Sequence, residues 1–209
     1  MILMNYDSNK NKYLLEDINL EDIFVDKNIV LKFLGYGNRK APDTISEIVE
    51  REIRNINDIL DIKIYISEVD INKTPKECKK AFAVLYTIGD KIDIKMNDYM
   101  ENCNMMAGIA LDKIGIVCLD YINEKIKMYL KGKYDSLKIS HEIYPGDKDF
   151  EVERQKDIYN YVKNKYNSIE IEINDYHQLS PIKSVAMLIL MGDEENLESR
   201  CSKCPRKCF

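Results

Sequence analysis

Apolar residues recur along this chain with the two periods of strand and helix. Ile62, Ile64 and Ile66 alternate with Lys63, Tyr65 and Ser67, which predicts a half-buried strand. Ala81-Phe82-Ala83-Val84-Leu85-Tyr86-Thr87-Ile88 is an unbroken run of strand length, rich in aromatic and β-branched residues, and predicts a buried strand. The two lie a turn apart across Asn72-Lys73-Thr74-Pro75 and are expected to pair antiparallel. Leu137, Ile139 and Ile143 mark a short strand, and Ile169, Ile171 and Ile173 alternate to mark another. Pro181 introduces a last apolar run, Ser184 to Met191, closed by Gly192.

Helical spacing fills the intervals. Ile29, Val30, Leu31, Phe33 and Leu34 predict a helix that ends at Gly35. Thr44-Ile45-Ser46-Glu47 reads as a capping box, with Ile45, Ile48, Val49, Ile53, Ile56 and Leu60 following at helical spacing. Glu47, Glu50, Arg51, Glu52 and Arg54 are expected on the solvated face of that helix. Gly89-Asp90 breaks the Ala81 run, and a helical pattern resumes at Ile92, Met96, Tyr99 and Met100. A second pattern runs from Met105 through Ala107, Ala110, Leu111, Ile114, Val117, Cys118 and Tyr121. Ala107, Gly108, Ala110 and Gly115 are small enough to let another element come close. A helix-interior Gly costs about 1 kcal/mol relative to Ala, so two of them argue for a packing reason. Lys131-Gly132-Lys133 reads as the turn that closes these helices, and Tyr144-Pro145-Gly146-Asp147 as a sharp turn by residue type. Phe150 to Tyr166 carries Phe150, Ile158, Tyr161, Val162 and Tyr166 on one side of a further helix. Helices and strands mix without regular alternation, which predicts an α+β fold.

Composition narrows the class. A chain of 209 residues suits one large domain, and 45% hydrophobic with 32% charged residues is ordinary for a globular protein. The net charge of −5 argues against a general nucleic-acid binder. No apolar run approaches the roughly 20 residues of a membrane span. Met1-Ile2-Leu3-Met4 is too short for a signal-peptide core and lacks a preceding basic region. The expected compartment is the cytoplasm, where the six cysteines would be reduced thiols or metal ligands.

Candidate chemistry is sparse. Cys201-x-x-Cys204-x-x-x-Cys208 places three thiols close together, a set that suits zinc or an iron–sulfur cluster if a fourth ligand is supplied. An unliganded tail is the other reading. His141 beside Glu142 and His177 near Asp175 offer His–carboxylate pairs, which are more often surface or structural than catalytic. Cys78, Cys103 and Cys118 read as core or boundary residues, and Met96, Met100, Met105 and Met106 as packing. No phosphate-cradling loop, Ser-His-Asp arrangement or dinucleotide fingerprint is present.

Three segments in order resemble the activation domain of cobalamin-dependent methionine synthase, above all its free-standing versions in anaerobic bacteria. Thr87-Ile88-Gly89 with Ala110-Leu111-Asp112-Lys113-Ile114-Gly115 is similar to the family's TIG and LDxIG pair. Tyr144-Pro145-Gly146-Asp147-x-Asp149-Phe150, with Gln155 downstream, resembles its R-x-x-PGY loop and following helix. Pro181-x-Lys183-Ser184-Val185 resembles its P-x-x-SV strand. The resemblance spans residues 25–209. It implies an α+β domain with a twisted antiparallel sheet and surrounding helices over 25–192. An extension over 1–24 precedes it and a charged, cysteine-rich tail over 193–209 follows.

The resemblance also implies a function. In the family, S-adenosylmethionine (AdoMet) remethylates an oxidised cobalamin while a flavodoxin-like protein supplies an electron. The chain is then expected to be an accessory protein of methionine synthase or another corrinoid protein, with cobalamin carried by the partner. The implied AdoMet-binding residues are Glu142, Tyr144, Pro145, Gly146, Asp147 and Asp175. Two positions depart from the pattern: Glu142 stands where the family has the arginine that pairs with the AdoMet carboxylate, and Asp147 where it has tyrosine. Lys138 and Lys148 are the nearby cations that could substitute. Two further readings are a corrinoid-protein partner that binds no AdoMet and a cysteine-cluster protein that passes electrons.

Overall fold

The structure, a computed structural model, describes residues 18, 23–37 and 39–195. In chain order these form α1 (Lys27–Phe33), α2 (Asp43–Arg54), α3 (Ile56–Ile59), β1 (Lys63–Val69), β2 (Lys80–Thr87), α4 (Lys91–Glu101), α5 (Met105–Lys133), β3 (Lys138–Ile143), α6 (Gln155–Lys163), β4 (Glu172–Ile173), β5 (Leu179–Ser180) and β6 (Ser184–Gly192). One antiparallel sheet of order β1-β2-β6-β3 organises them, and β4 and β5 form a separate two-stranded ribbon. The architecture is the expected α+β, in a single domain.

The strand period decides what each face buries. Phe82, Val84 and Tyr86 of β2 turn to one face, where Ile64, Ile66, Met187, Ile189 and Met191 join them. That face is covered by the helices that supply Val30, Val49, Ile92, Leu111, Ile114, Ile122 and Ile126. Ala81, Ala83 and Leu85 turn to the other face and meet Ile158 and Val162 of α6, with Phe150 and Ile171. Ile18 and Ile23 also lie in the first core.

Several local expectations are corrected. The helix expected to be capped by Thr44 begins at Asp43. Pro42 is its N-cap without a side-chain bond, and the Pro42 carbonyl accepts from Ile45 N and Ser46 N at 3.0 Å each. Lys131-Gly132-Lys133 is no turn, because α5 runs through to Lys133. The helix expected over 150–166 is shorter. Phe150 is tied back to Asp147 as an isolated bridge and a 3-10 turn occupies Val152–Arg154, so α6 starts at Gln155. The expected strand at 169–173 shrinks to two residues, since among the described residues its ladder partner is the equally short β5. Among the described residues no helix is long and apolar enough to cross a membrane.

Candidate functional site

A register shift between Ile139 and His141 sets the chemistry of β3. Without it Ile139 and Ile143 would share a face. With it Ile139 packs in the helix-rich core and Ile143 in the α6 core. Glu142, opposite Ile189, is thereby turned towards α5. Its carboxylate accepts from Lys127 Nζ at 2.8 Å, from Asn123 Nδ2 at 3.0 Å and from the Tyr144 hydroxyl at 2.9 Å. Asn123 Nδ2 also donates to the Tyr144 hydroxyl at 3.2 Å. Burial alone would raise the Glu142 pKa. The hydrogen bonds from Lys127 and Asn123, and the Lys127 charge, outweigh it and hold the group below the usual carboxylate range.

The turn after β3 is closed by its own bonds. Tyr144 N donates to Asp147 Oδ2 at 2.8 Å, and Asp147 N to the Tyr144 carbonyl at 2.9 Å. Gly146 N donates to the Phe150 carbonyl at 2.7 Å, so this amide is already engaged. Gly146 has φ 94°, the left-handed region where glycine carries no steric penalty.

Asp175 lies elsewhere in the sequence. It is exposed in the loop joining β4 and β5, where Asn174 Oδ1 accepts from Tyr176 N and Gln178 N at 2.9 Å each. Gln155, the first residue of α6, donates its side-chain amide to the His177 carbonyl at 2.6 Å. That bond ties the hairpin loop to the helix that follows the turn.

Just past Asp147 the surface opens into a hollow of about 810 Å³. Lys148, Asp149, Phe150 and Glu151 form one wall, and Asn72, Lys73, Thr74 and Pro75 face them. Arg154, Asp157 and Tyr161 complete the lining. Arg154 pairs with Asp157 at 3.0 Å and its guanidinium lies 5.7 Å from the centre of the Phe150 ring. Glu142, Tyr144, Pro145, Gly146, Asp147 and Asp175 are not among the lining residues. Arg154 was invisible as a candidate in the sequence, because it sits in an ordinary charged stretch ahead of a helix.

The first and third motif segments do converge, but on packing. Thr87 Oγ1 donates to the Lys183 carbonyl at 3.1 Å, and Ile88 N donates to the same carbonyl at 3.1 Å. The Lys183 ammonium reaches back to Asp112. A Cβ on Gly115 would meet Ile92 Cδ1 at 3.0 Å and Lys183 Cε at 3.2 Å, which is the packing reason for a glycine inside α5.

The remaining candidates separate. Cys201, Cys204 and Cys208 lie outside the described residues. Among the described residues no group of His, Cys, Asp or Glu is arranged to hold a metal ion. Strand alternation turns His141 and Glu142 to opposite faces. Cys118 is fully buried, and burial pushes its thiol up to about 12. Cys103, expected at the core or its boundary, is exposed at the end of α4 with φ 57°. Met100, Met105 and Met106, expected to pack, are exposed because they flank the same connection. Glu52, expected in solvent, is buried between α2 and α4.

The fold is that of an α+β domain with helices heaped on one face of an antiparallel sheet and a single helix on the other. A crystal structure of the MetH reactivation domain bound to AdoHcy is similar to it, with a TM-score of 0.53 at 7% identity, over 75% of this chain and 67% of that one. No family model and no curated relative matches the sequence.

Proposed function

We propose that the chain is an accessory protein of cobalamin-dependent methionine synthase, or of another corrinoid protein, that supports AdoMet-dependent reductive remethylation of the corrinoid. The observation that carries this is the likeness to the MetH reactivation domain bound to AdoHcy. The ordered motif segments of the sequence agree with it.

AdoMet, when bound, supplies a methyl group on a sulfonium; the protein's task is to orient it. We place it beside the turn, bounded by Glu142, Tyr144, Pro145, Gly146, Asp147 and Asp175 and extending into the hollow at Lys148–Arg154. The residue types there suit a zwitterionic nucleoside. Asp149, Glu151 and Asp157 offer negative charge to the sulfonium and amine, and Tyr161 offers a ring. Arg154 takes the place of the family's arginine, since a guanidinium fork matches a carboxylate. It would exchange Asp157 for the ligand. Glu142 does not repel the ligand strongly, because Lys127 already answers its charge.

Isothermal titration with AdoMet and AdoHcy tests the cofactor half. Saturable heat that weakens about tenfold in Arg154→Met supports it, a loss of about 1.4 kcal/mol. Silence at millimolar ligand removes it. A second reading, a corrinoid-protein partner without AdoMet, is favoured by one observation: the Tyr144 hydroxyl and the Glu142 carboxylate are engaged with α5. Capture of the cobalamin module with and without AdoMet separates the two. We further propose that Cys201, Cys204 and Cys208 bind a metal or iron–sulfur cluster, as an electron-passing protein would need. A colourless, metal-free protein after anaerobic purification would exclude that.

A further inference from the structure

A smaller hollow of about 170 Å³ opens between the C-terminal end of α5 and the outer edge of β1. We propose that it binds a small organic carboxylate with a flat apolar body. It lies at the sheet edge opposite β3 and is independent of the AdoMet reading.

The hollow is amphipathic. Ile66, Phe82 and Leu130 give it an apolar floor, all three buried. Tyr129 and Tyr134 supply aromatic walls, and Tyr134 lies 5.2 Å from Phe82 between ring centres at a tilt of 36°. The polar rim is cationic. Lys165 Nζ donates to the Ile66 carbonyl at 2.7 Å, and Lys133 Nζ lies 3.0 Å from the Tyr129 hydroxyl. The Ile66 carbonyl that Lys165 meets is neutral and also accepts from the Tyr166 hydroxyl at 3.0 Å. Glu68 is the one carboxylate in the lining, and Lys80 sits on it at 2.5 Å. Burial first, and then the Lys133 charge, depress the Lys165 pKa against the opposing pull of Glu68, so an anion entering beside Lys165 would favour its charged form.

Size and floor choose the ligand class. The volume falls below the roughly 300–1,000 Å³ of a drug-sized pocket, so a single ring fits and a nucleotide does not. A bare tetrahedral anion would leave the apolar floor uncovered. An organic cation would face two ammonium groups.

The test is a titration of the full chain followed by amide NMR, with benzoate, inorganic phosphate and benzylammonium as probes. Benzoate is expected to give saturable shifts at Ile66, Tyr129, Tyr134 and Lys165, and Lys165→Gln to weaken it about tenfold, the scale of one charge-assisted hydrogen bond. The same variant keeps its shifts elsewhere, since Lys165 is an exposed residue. In wild-type protein benzoate should also slow acetylation of Lys165, read by peptide mass spectrometry. Saturation by phosphate alone, equal binding of benzylammonium, or no saturable shift at these amides with benzoate overturns the proposal.

Discussion

Burying a carboxylate costs several kcal/mol unless other groups answer its charge. The Glu52 side chain is fully buried. Its Oε1 accepts from Arg51 Nε and from the Tyr99 hydroxyl at 2.9 Å each, and Lys95 Nζ lies 3.0 Å from Oε2. Burial pushes its pKa up, but the bonds from Lys95, Arg51 and Tyr99 prevail and the net direction is down. A depressed folded-state pKa gives stability that is present above the unfolded value and is lost as pH falls through the folded one. Glu52→Gln should therefore lower stability by about 1–2 kcal/mol near neutral pH, less than for a wholly buried pair because Arg51 and Lys95 keep some solvent. The gap from wild type should narrow in acid. Urea unfolding across the carboxylate range checks this, and a gap independent of pH would refute it. The cysteines give a second test at this scale. Cys118, with its thiol pushed up to about 12 and no exposure, should resist iodoacetamide in the native state, while exposed Cys103 is labelled. Peptide mass spectrometry before and after unfolding reads both sites.

At the scale of elements, the sequence was legible where one physical signal dominated. β2 and β6 are long apolar runs with no competing pattern, and both form where expected. The α5 region was readable from its small and apolar residues, but its end was not. Gly132 suggested a stop, yet Leu130 is held in the core and the helix carries on past it. Glu52 was misread because its neighbours Glu50 and Arg51 suggested one solvated stripe. Two of its partners, Lys95 and Tyr99, come from α4, which no local pattern reveals. For the same reason the candidate site was half legible. The turn at Tyr144–Asp147 forms, but Lys127 and Asn123, which engage Glu142, are remote in sequence. The junction from β2 to α4 shows how strictly backbone geometry constrains such elements. Gly89 has φ 84°, and a Cβ there would lie 2.8 Å from Asp61 Cβ and 3.1 Å from its carbonyl oxygen. Gly89→Ala should cost about 2 kcal/mol or more, from left-handed strain added to a backbone clash. A melting temperature within a degree or so of wild type would contradict it.

For the whole molecule the question is where a ligand can act without disturbing the core. The helix-rich face of the sheet holds most of the large buried side chains, and α5 runs through its middle. The other face depends on α6, Phe150, Ile171 and a ribbon of two-residue strands. Few ladder bonds hold that ribbon, so it should open locally at much lower free energy than β2 or β6. The proposed AdoMet seat starts at the turn after β3, where Glu142 and Tyr144 face α5, and reaches onto this less secured side at the start of α6 and the loop bonded to it through Gln155. Hydrogen exchange should therefore be slowest in β2, β6 and the middle of α5, and fast in residues 172–180. Adding AdoMet should slow exchange in residues 144–155 and 174–178 and leave the α5 core unchanged, because a ligand protects the segments it holds closed. If calorimetry shows binding but protection falls only on other segments, the ligand sits elsewhere and the placement at this turn is wrong, while the likeness of fold is untouched.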